Sequence, residues 1–202
     1  MVQEKEHTLV LASGNKGKAR EFEQMLEPLG YKIVLQKDLG VIEPEETGRS
    51  FIENALIKAR AASDQTGLMA LADDSGLCVD ALNGAPGVLS ARFSGVHGDD
   101  QANNDLLLEK LKDVREGERG ARYCCALCLV RYKDDPMPLC VTGTWSGSIG
   151  FSPRGKGGFG YDPLFMVTGR NCTAAELPPQ LKNLISHRAV ALKRLVSELS
   201  PA

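Results

Sequence analysis

The chain has 202 residues, a formal net charge of −2, 43% hydrophobic residues and 25% charged residues. This length fits one domain, or two intimately joined lobes, and the composition is that of an ordinary globular protein. The small net charge gives no reason to expect non-specific binding to nucleic acid or to an anionic membrane surface. The apolar run near the N-terminus is too short for a signal peptide or a membrane span, so we expect a cytoplasmic protein.

The N-terminal segment predicts a β-α-β unit. Residues 8–12 predict a strand, a helical spacing of apolar residues continues to Leu29, and residues 31–36 predict a second, parallel strand. The first strand and the helix are joined by a loop of small residues and lysines, Ser13-Gly14-Asn15-Lys16-Gly17-Lys18. Such a loop before a helix suits an anion, but it matches neither the Walker spacing nor G-x-G-x-x-G, and an ordinary tight turn remains the alternative.

Acidic residues follow this unit. Residues 41–48 form an acidic connection that includes Glu46, and a solvated loop is an equally good interpretation of any one of these acids. Residues 50–66 predict a helix with Ser50 or Thr47 as its N-cap, and Lys58 lies off the apolar stripe of that helix. A lysine in that position is usually solvated, or it leans toward a neighbouring site.

The stretch from 68 to 87 is the centre of the prediction. An apolar run of residues leads directly into Asp73 and Asp74, which is typical of a buried strand that reaches the surface carrying acids. Adjacent side chains on a strand point to opposite faces, so we expect one aspartate to face a site and the other to support it. Two solvated turn acids are the alternative. Residues 83–87 predict a turn.

The second half of the chain predicts a mixed sheet. Residues 88–98 read as irregular and residues 99–114 as a helix. Two long β segments follow, residues 122–132 and 139–149, and their short connection favours antiparallel pairing. The chain is therefore expected to have an α/β fold.

A glycine-rich loop occupies residues 151–167 and leads into a short apolar strand. Its glycines surround Phe159, and Tyr161 and Asp162 follow, so a flat ligand can approach both the ring and the backbone. A flexible hairpin loop with one stray aromatic residue is the alternative. In the last helix, residues 186–199, His187 and Arg188 lie in the first turn, where the helix dipole disfavours cations, so a ligand carbonyl or phosphate is a candidate partner.

The six cysteines predict no metal site. Cys125 and Cys128 form a C-x-x-C, but they lie in a predicted strand, where positions three apart face opposite sides. Without a second C-x-x-C or paired histidines, zinc is not expected, and reduced thiols are the favoured interpretation. Motifs of serine hydrolases, zinc hydrolases and zinc deaminases are absent from the sequence.

These residue types together suit a nucleotide. The lysines of the first loop would bind phosphates, the carboxylates would bind a metal, and the glycine-framed aromatic would stack on a base. Five motifs together indicate a family: LASGNKGKAREF, ETGRSFIENALIKA, ADDSGLCVDALNGAPGVLSARFSG, GGFGYDPLF and SHRAVAL. In this order and over nearly the full length, they resemble the inosine/xanthosine triphosphate pyrophosphatase family.

The resemblance implies a fold and an activity. The fold would be the elongated two-lobed α/β structure of the Maf and Ham1 proteins, a single domain over residues 1–202 with a central mixed β-sheet, flanking helices and an active-site cleft between the lobes. The reaction would be the Mg²⁺-dependent hydrolysis of noncanonical purine nucleoside triphosphates (ITP, dITP, XTP) to the monophosphate and pyrophosphate, which cleanses the nucleotide pool. The family also implies a homodimer.

The resemblance also assigns roles to individual residues. Asp74 would activate water and bind the metal, Glu46 would be a further metal ligand, and Asp73 would orient lysines or metal-bound water. Phe159 would stack on the purine, while Lys182, His187 and Arg188 would read its 6-keto group. The full set implied to bind substrate is Ser13, Gly14, Asn15, Lys16, Gly17, Lys18, Lys58, Ser75, Phe159, Gly160, Tyr161, Asp162, Lys182, His187 and Arg188.

Two other functions are compatible with parts of the pattern. A nucleotide-binding sensor without turnover would need no water-activating acid, so Asp74 and Glu46 argue against it. A Maf-like pyrophosphatase acting on modified nucleotides would share the fold and the reaction but differ in substrate.

Overall fold

A computed structural model describes residues 7–13 and 16–200 of the chain. The strands are β1 (His7–Leu11), β2 (Tyr31–Leu35), β3 (Met69–Val79), β4 (Gly120–Val130), β5 (Leu139–Ile149) and β6 (Phe165–Val167). The helices are α1 (Lys16–Leu26), α2 (Phe51–Thr66), α3 (Asp100–Lys110), α4 (Pro179–Ile185) and α5 (His187–Leu199). None of the helices in the described ranges is both long and apolar enough to cross a membrane.

The strands form one open, mixed sheet in the order β2-β1-β3-β4-β5-β6. β1 pairs in parallel with β2 on one side and with β3 on the other, where Leu11 lies opposite Leu71. β5 and β6 pair in antiparallel fashion. The predicted α/β class and mixed sheet are thus confirmed.

The described chain forms two compact units. The first comprises the residues up to Asp74, residues 126–142, and those from Ala191 onward. The second comprises residues 75–125 and 143–190. The core of the first unit includes small side chains from β1, α2 and β3, such as Ala59 and Ala72, and large ones such as Phe22 and Leu71. The core of the second unit includes Trp145 and Phe165. The single domain with a cleft between lobes stays a prediction.

Local signals predicted most element boundaries. Ser50 caps α2 by accepting a hydrogen bond from Glu53 N, and Gly67 ends that helix in the left-handed conformation, with φ +69°. Asp99 caps α3 in the same way, accepting from Ala102 N at 3.0 Å. Ser186 accepts from Ala189 N at 3.3 Å at the start of α5.

Several elements differ from the prediction; among them, α3 ends at Lys110 rather than at residue 114. α1 begins at Lys16, so Lys16–Lys18 belong to its first turn rather than to the preceding loop. β3 is one strand of 11 residues that runs straight through the aspartates; β1 pairs with its first residues, Met69–Leu71, and β4 lies on its other side. The short helix α4 was missed: prolines are read as breakers, but Pro179 occupies the first helical turn, where no N–H partner is needed.

The prediction that all the thiols are reduced is wrong for one pair. Cys128 on β4 and Cys140 on β5 form a disulfide, with a Cα–Cα distance of 4.3 Å. The two residues are 12 positions apart in sequence. Their pairing depends on how the neighbouring strands align, and no spacing pattern reveals that.

Candidate active site

An acid–lysine cluster lies in the first unit. Lys58 Nζ, from α2, is 2.7 Å from Glu46 Oε1 and 3.2 Å from Asp74 Oδ1 on β3. The three side chains are 17%, 27% and 12% exposed, so they are shielded from bulk water without being sealed from it. Three residues that were selected separately from the sequence therefore meet around one ammonium group.

The charges of this cluster shift one another's pKa values. Burial raises the pKa of Asp74, the positive charge of Lys58 lowers it, and the negative charge of Glu46 raises it again, so that the net shift is upward. Burial alone would lower the pKa of Lys58, but the charges of Asp74, Glu46 and Asp73 outweigh it and raise that pKa. Lys58 is therefore a fixed cation, while Asp74 is a stronger base than an exposed aspartate.

The cluster contains one residue that the sequence prediction missed. Asn54 on α2 is fully buried, and its Oδ1 accepts a hydrogen bond from Gly48 N at 2.8 Å. Its amide also lowers the pKa of Asp74, so the two groups are neighbours. Asn54 Nδ2 and Asp74 Oδ2 are both buried, and neither has a hydrogen-bond partner within the described residues. Unpaired buried polar atoms lower the stability of the folded protein. Their presence here is therefore typical of a site where a ligand supplies the missing partner.

The structure describes only part of the predicted phosphate-binding loop, residues 13–18. Ser13 follows β1, whose last paired residue, Leu11, lies opposite Leu71, and the Ser13 N–H donates to Leu11 O at 2.8 Å, so the chain turns directly after the strand. Lys16, Gly17 and Lys18 form the first turn of α1, whose amide groups are suited to an anion. Gly14 and Asn15 lie outside the described residues. Asp73 itself is buried, with 3% exposure, as expected for the neighbour of a site residue on a strand.

A second cluster, in the second unit, is centred on Asp162. The Asp162 carboxylate is 2% exposed and accepts hydrogen bonds from Phe159 N at 2.8 Å, Tyr123 OH at 3.2 Å and Lys182 Nζ. The ammonium of Lys182 lies 4.7 Å from the centre of the Phe159 ring, which is 57% exposed. An exposed flat ring beside a partly buried donor is suited to a planar ligand that carries a hydrogen-bond acceptor.

Tyr123 connects this cluster to the last helix. Its ring stacks on His187, with centroids 4.9 Å apart and an angle of 13° between the planes. Burial raises the pKa of Tyr123 far above its ordinary value, and the Asp162 charge raises it further, so the phenol keeps its proton and donates. His187 and Arg188 are each 6% exposed. Tyr123 was not predicted, because a tyrosine in an apolar strand gives no signal of its own.

Helix α3 holds the glycine-rich loop at Gly160. Asp100 Oδ2 accepts from Gly160 N at 2.7 Å, and Asn104 Nδ2 donates to Gly160 O at 2.9 Å. The side chain of Tyr161 points into the core of the second unit and donates to Ser90 O at 2.9 Å. Tyr161 therefore anchors the loop rather than presenting its ring to a ligand.

Gly158 in this loop must be a glycine. It has φ +74°, and a Cβ atom there would collide with the Asp162 carboxylate.

Ser75 directly follows Asp74 on β3 and is half-buried. The structure thus gathers Glu46, Lys58 and Asp74 in one cluster, and Phe159, Asp162, Lys182 and His187 in another.

Comparison with known proteins gives a consistent result. Residues 9–198 match the sequence model of the Ham1 family. A protein of Shigella flexneri named dITP/XTP pyrophosphatase is 54% identical over 191 residues, which cover 95% of this chain and 97% of that protein.

Two solved structures are also similar. A HAM1 protein from Coxiella burnetii has a TM-score of 0.93 and 47% identity over 97% of this chain and all of that one. A nucleoside-triphosphatase / dITP/XTP pyrophosphatase from Mycobacterium abscessus has a TM-score of 0.80 and 48% identity over 96% of this chain and all of that one.

Proposed function

Because this chain belongs to the Ham1 family, we propose that it is a dITP/XTP pyrophosphatase. It is a hydrolase that converts the noncanonical purine nucleoside triphosphates dITP, XTP and ITP to the monophosphate and pyrophosphate. The observation that supports the chemistry best is the Asp74–Lys58–Glu46 cluster, in which a half-buried acid with a raised pKa is held beside a fixed cation.

The phosphate end of the substrate is assigned to the acid–lysine cluster. Asp74 is the general base that takes a proton from the water attacking the α-phosphorus, and its raised pKa suits that task. Lys58, together with Ser13, Gly14, Asn15, Lys16, Gly17 and Lys18, binds the phosphates and offsets the charge of the leaving pyrophosphate. Ser75, the neighbour of Asp74 on β3, is a further contact. Asn54, whose amide lowers the pKa of the neighbouring Asp74, would help to position this general base.

The metal is assigned to Glu46 and Asp74 and proposed to be Mg²⁺. Mg²⁺ needs only one or two carboxylates when substrate phosphates and water complete its shell, and the unpartnered Oδ2 of Asp74 fits such a ligand. When bound, the ion supplies positive charge to the phosphoryl oxygens during transfer. Lys58 already neutralises part of the acid pair, and the described residues contain no cluster of three or more acidic, histidine or cysteine side chains that could hold a metal ion, so substrate phosphates and water would have to complete the site.

Replacing Glu46 should therefore weaken the response to metal. For Glu46→Gln we expect the Mg²⁺ concentration that gives half-maximal turnover to rise about tenfold or more, with a smaller change in the maximal rate, because one charged ligand is lost. Steady-state rates across a Mg²⁺ titration measure this. The matched control is Glu45→Gln, an exposed acid on the same connection, which should titrate as the wild type does. Equal Mg²⁺ dependence in all three proteins would exclude Glu46 as a ligand.

The base is assigned to the Asp162 cluster. Phe159 stacks on the purine, and Lys182, with His187 and Arg188, donates to the oxygen at position 6. Asp162 and the Gly160 backbone hold these groups in place, with Tyr161 as the anchor of the loop. Adenine carries an amino group at position 6, so it would leave buried donors unpaired, which costs about 1–3 kcal/mol per group.

The products of the reaction test this function. With dITP and Mg²⁺, we expect one pyrophosphate for each dIMP and no orthophosphate in the absence of an added pyrophosphatase. ³¹P NMR of the reaction mixture distinguishes the two products. Orthophosphate with dIDP would instead identify a phosphatase, and binding without turnover would identify a sensor. A parallel panel of modified pyrimidine triphosphates separates the Maf-like alternative, and the homodimer stays a prediction that light scattering can measure.

A further inference from the structure

Two cysteines outside both clusters lie side by side in the second unit. Cys78 on β3 and Cys124 on β4 are 46 positions apart in sequence, yet their sulfur atoms are 3.9 Å apart, with the Cys124 thiol donating to Cys78 Sγ. The strand neighbours of both, Leu77, Val79 and Tyr123, are buried in the core. Because side chains alternate along a strand, the two thiols share the opposite face of the sheet, where both are half-buried.

The same face carries a charged pair. Arg122 Nη1 and Asp80 Oδ1 are 2.7 Å apart, and the two side chains are 46% and 61% exposed. The hydrogen bond from Cys124 lowers the pKa of Cys78 to about 7; burial and the charge of Asp80 oppose that shift, and the charge of Arg122 assists it. The same hydrogen bond raises the pKa of Cys124 well above its ordinary value. One thiol is thus poised as a nucleophile, and its neighbour keeps its proton.

We propose that Cys78 and Cys124 form a redox-active dithiol that reacts with low-molecular-weight disulfides and closes to an intramolecular disulfide. The Cys78 thiolate attacks one sulfur of the small disulfide, forming a mixed disulfide and releasing one thiolate. The Cys124 thiol then loses its proton and attacks the Cys78 sulfur, and the second small thiolate leaves. Two protein thiols are oxidised, one small disulfide is reduced to two small thiols, and no other reactant is needed.

The expected selectivity follows from two opposing effects. At pH 7, about half of a thiol with a pKa near 7 is thiolate, against roughly 3% for an ordinary thiol with a pKa of about 8.5. Nucleophilicity falls with pKa, which removes about fivefold of that advantage, so the first step at Cys78 should be roughly threefold faster than at an ordinary thiol. The second step is intramolecular and gives the pair its main advantage over Cys172, a half-buried thiol elsewhere in the same unit.

Oxidised glutathione is the probe for the test. After incubation at pH 7 and alkylation of the remaining thiols, non-reducing peptide mapping by mass spectrometry should find Cys78 linked to Cys124, with two thiols lost per chain. Cys124→Ser should instead accumulate a stable glutathione adduct on Cys78, because the second thiol is missing. Cys172→Ser should form the Cys78–Cys124 link at the wild-type rate.

Three results would overturn the proposal. One is the absence of the Cys78–Cys124 link in the wild type, another is a glutathione adduct that persists on wild-type Cys78, and the third is modification of Cys172 ahead of Cys78. Cys78→Ser provides a further check, since Cys124 in that variant should remain largely unmodified. None of these readouts depends on nucleotide hydrolysis, so the result is independent of the proposed enzymatic function.

Discussion

Asp74→Asn should reduce the turnover of dITP about 1,000-fold while the Michaelis constant changes only a few-fold. The amide keeps the shape of the carboxylate but cannot accept a proton from water, and the loss of a general base typically costs 10²–10⁴-fold, that is roughly 1,000-fold, in rate. Steady-state kinetics at saturating Mg²⁺ measure the effect, and binding of a non-hydrolysable triphosphate shows that the substrate site persists.

The fold should tolerate this substitution. Glu46 remains beside Lys58 at 2.7 Å, so the cation keeps a partner, and the thermal unfolding midpoint should change little. Asp64→Asn is the matched control, because Asp64 is an exposed aspartate at the end of α2 that pairs only with Lys133 among the described residues. The Asp64→Asn variant should hydrolyse dITP at the wild-type rate. Retained turnover in Asp74→Asn would remove Asp74 from the catalytic role.

The pKa of Asp74 gives this prediction a pH dependence. Its folded-state pKa is raised, so Asp74 loses its charge at a higher pH than an unfolded aspartate does, and its ionised form destabilises the fold at neutral pH. In the metal-free protein, Glu46→Gln should lower the pKa of Asp74 below its wild-type value, because a neighbouring negative charge is removed. Lys58→Met should raise that pKa above the wild-type value, because a neighbouring positive charge is removed. ¹³C NMR of the carboxyl carbon reports both shifts, and opposite signs would contradict the assignment.

Lys182→Met should abolish most of the discrimination between dITP and dATP. The variant removes a donor beside the stacking face of Phe159, so kcat/KM for dITP should fall about 5–150-fold, which corresponds to about 1–3 kcal/mol. The value for dATP should change much less, because no favourable contact from Lys182 to its amino group is lost. The ratio of the two specificity constants is the measurement.

A second lysine variant serves as the control for the loss of positive charge in Lys182→Met. Lys156 lies in the same glycine-rich loop and is exposed, so Lys156→Met should leave the ratio unchanged. Asp162→Asn should resemble Lys182→Met, since an amide cannot accept from Tyr123 OH, Phe159 N and Lys182 Nζ together. Equal losses for dITP and dATP in Lys182→Met would indicate general substrate binding rather than recognition of the base.

The agreement between sequence and structure is best where the signal is local. The Ser50–Glu53 cap and Gly67 bound α2 because capping and left-handed backbone energies act within a few residues. Asp73 is buried and Asp74 contacts Lys58, which agrees with the expected alternation of side chains along the strand, while the prediction that one acid faces a site and the other supports it stays a prediction. The motifs were also sufficient to identify the family.

The groups that complete each cluster were not predictable in this way. Asn54, Tyr123, Asp100 and Asn104 have ordinary residue types for their elements, and each acquires its role from a partner distant in sequence. Tyr123 and Asp162 are 39 positions apart, and Asp100 and Gly160 are 60 apart. The Cys128–Cys140 disulfide was not predictable either, because it depends on how β4 and β5 align.

The sequence by itself thus determined the α/β class, most element boundaries, the family and the residue types of a nucleotide site. Only the tertiary structure decided that Lys58 bridges Glu46 and Asp74, that Asp162 holds Lys182 beside Phe159, and that Cys78 meets Cys124. The physical reason is range. Backbone propensities and caps are decided within a few residues, whereas strand register and loop placement, which bring distant side chains within hydrogen-bond distance, depend on the packing of the whole unit.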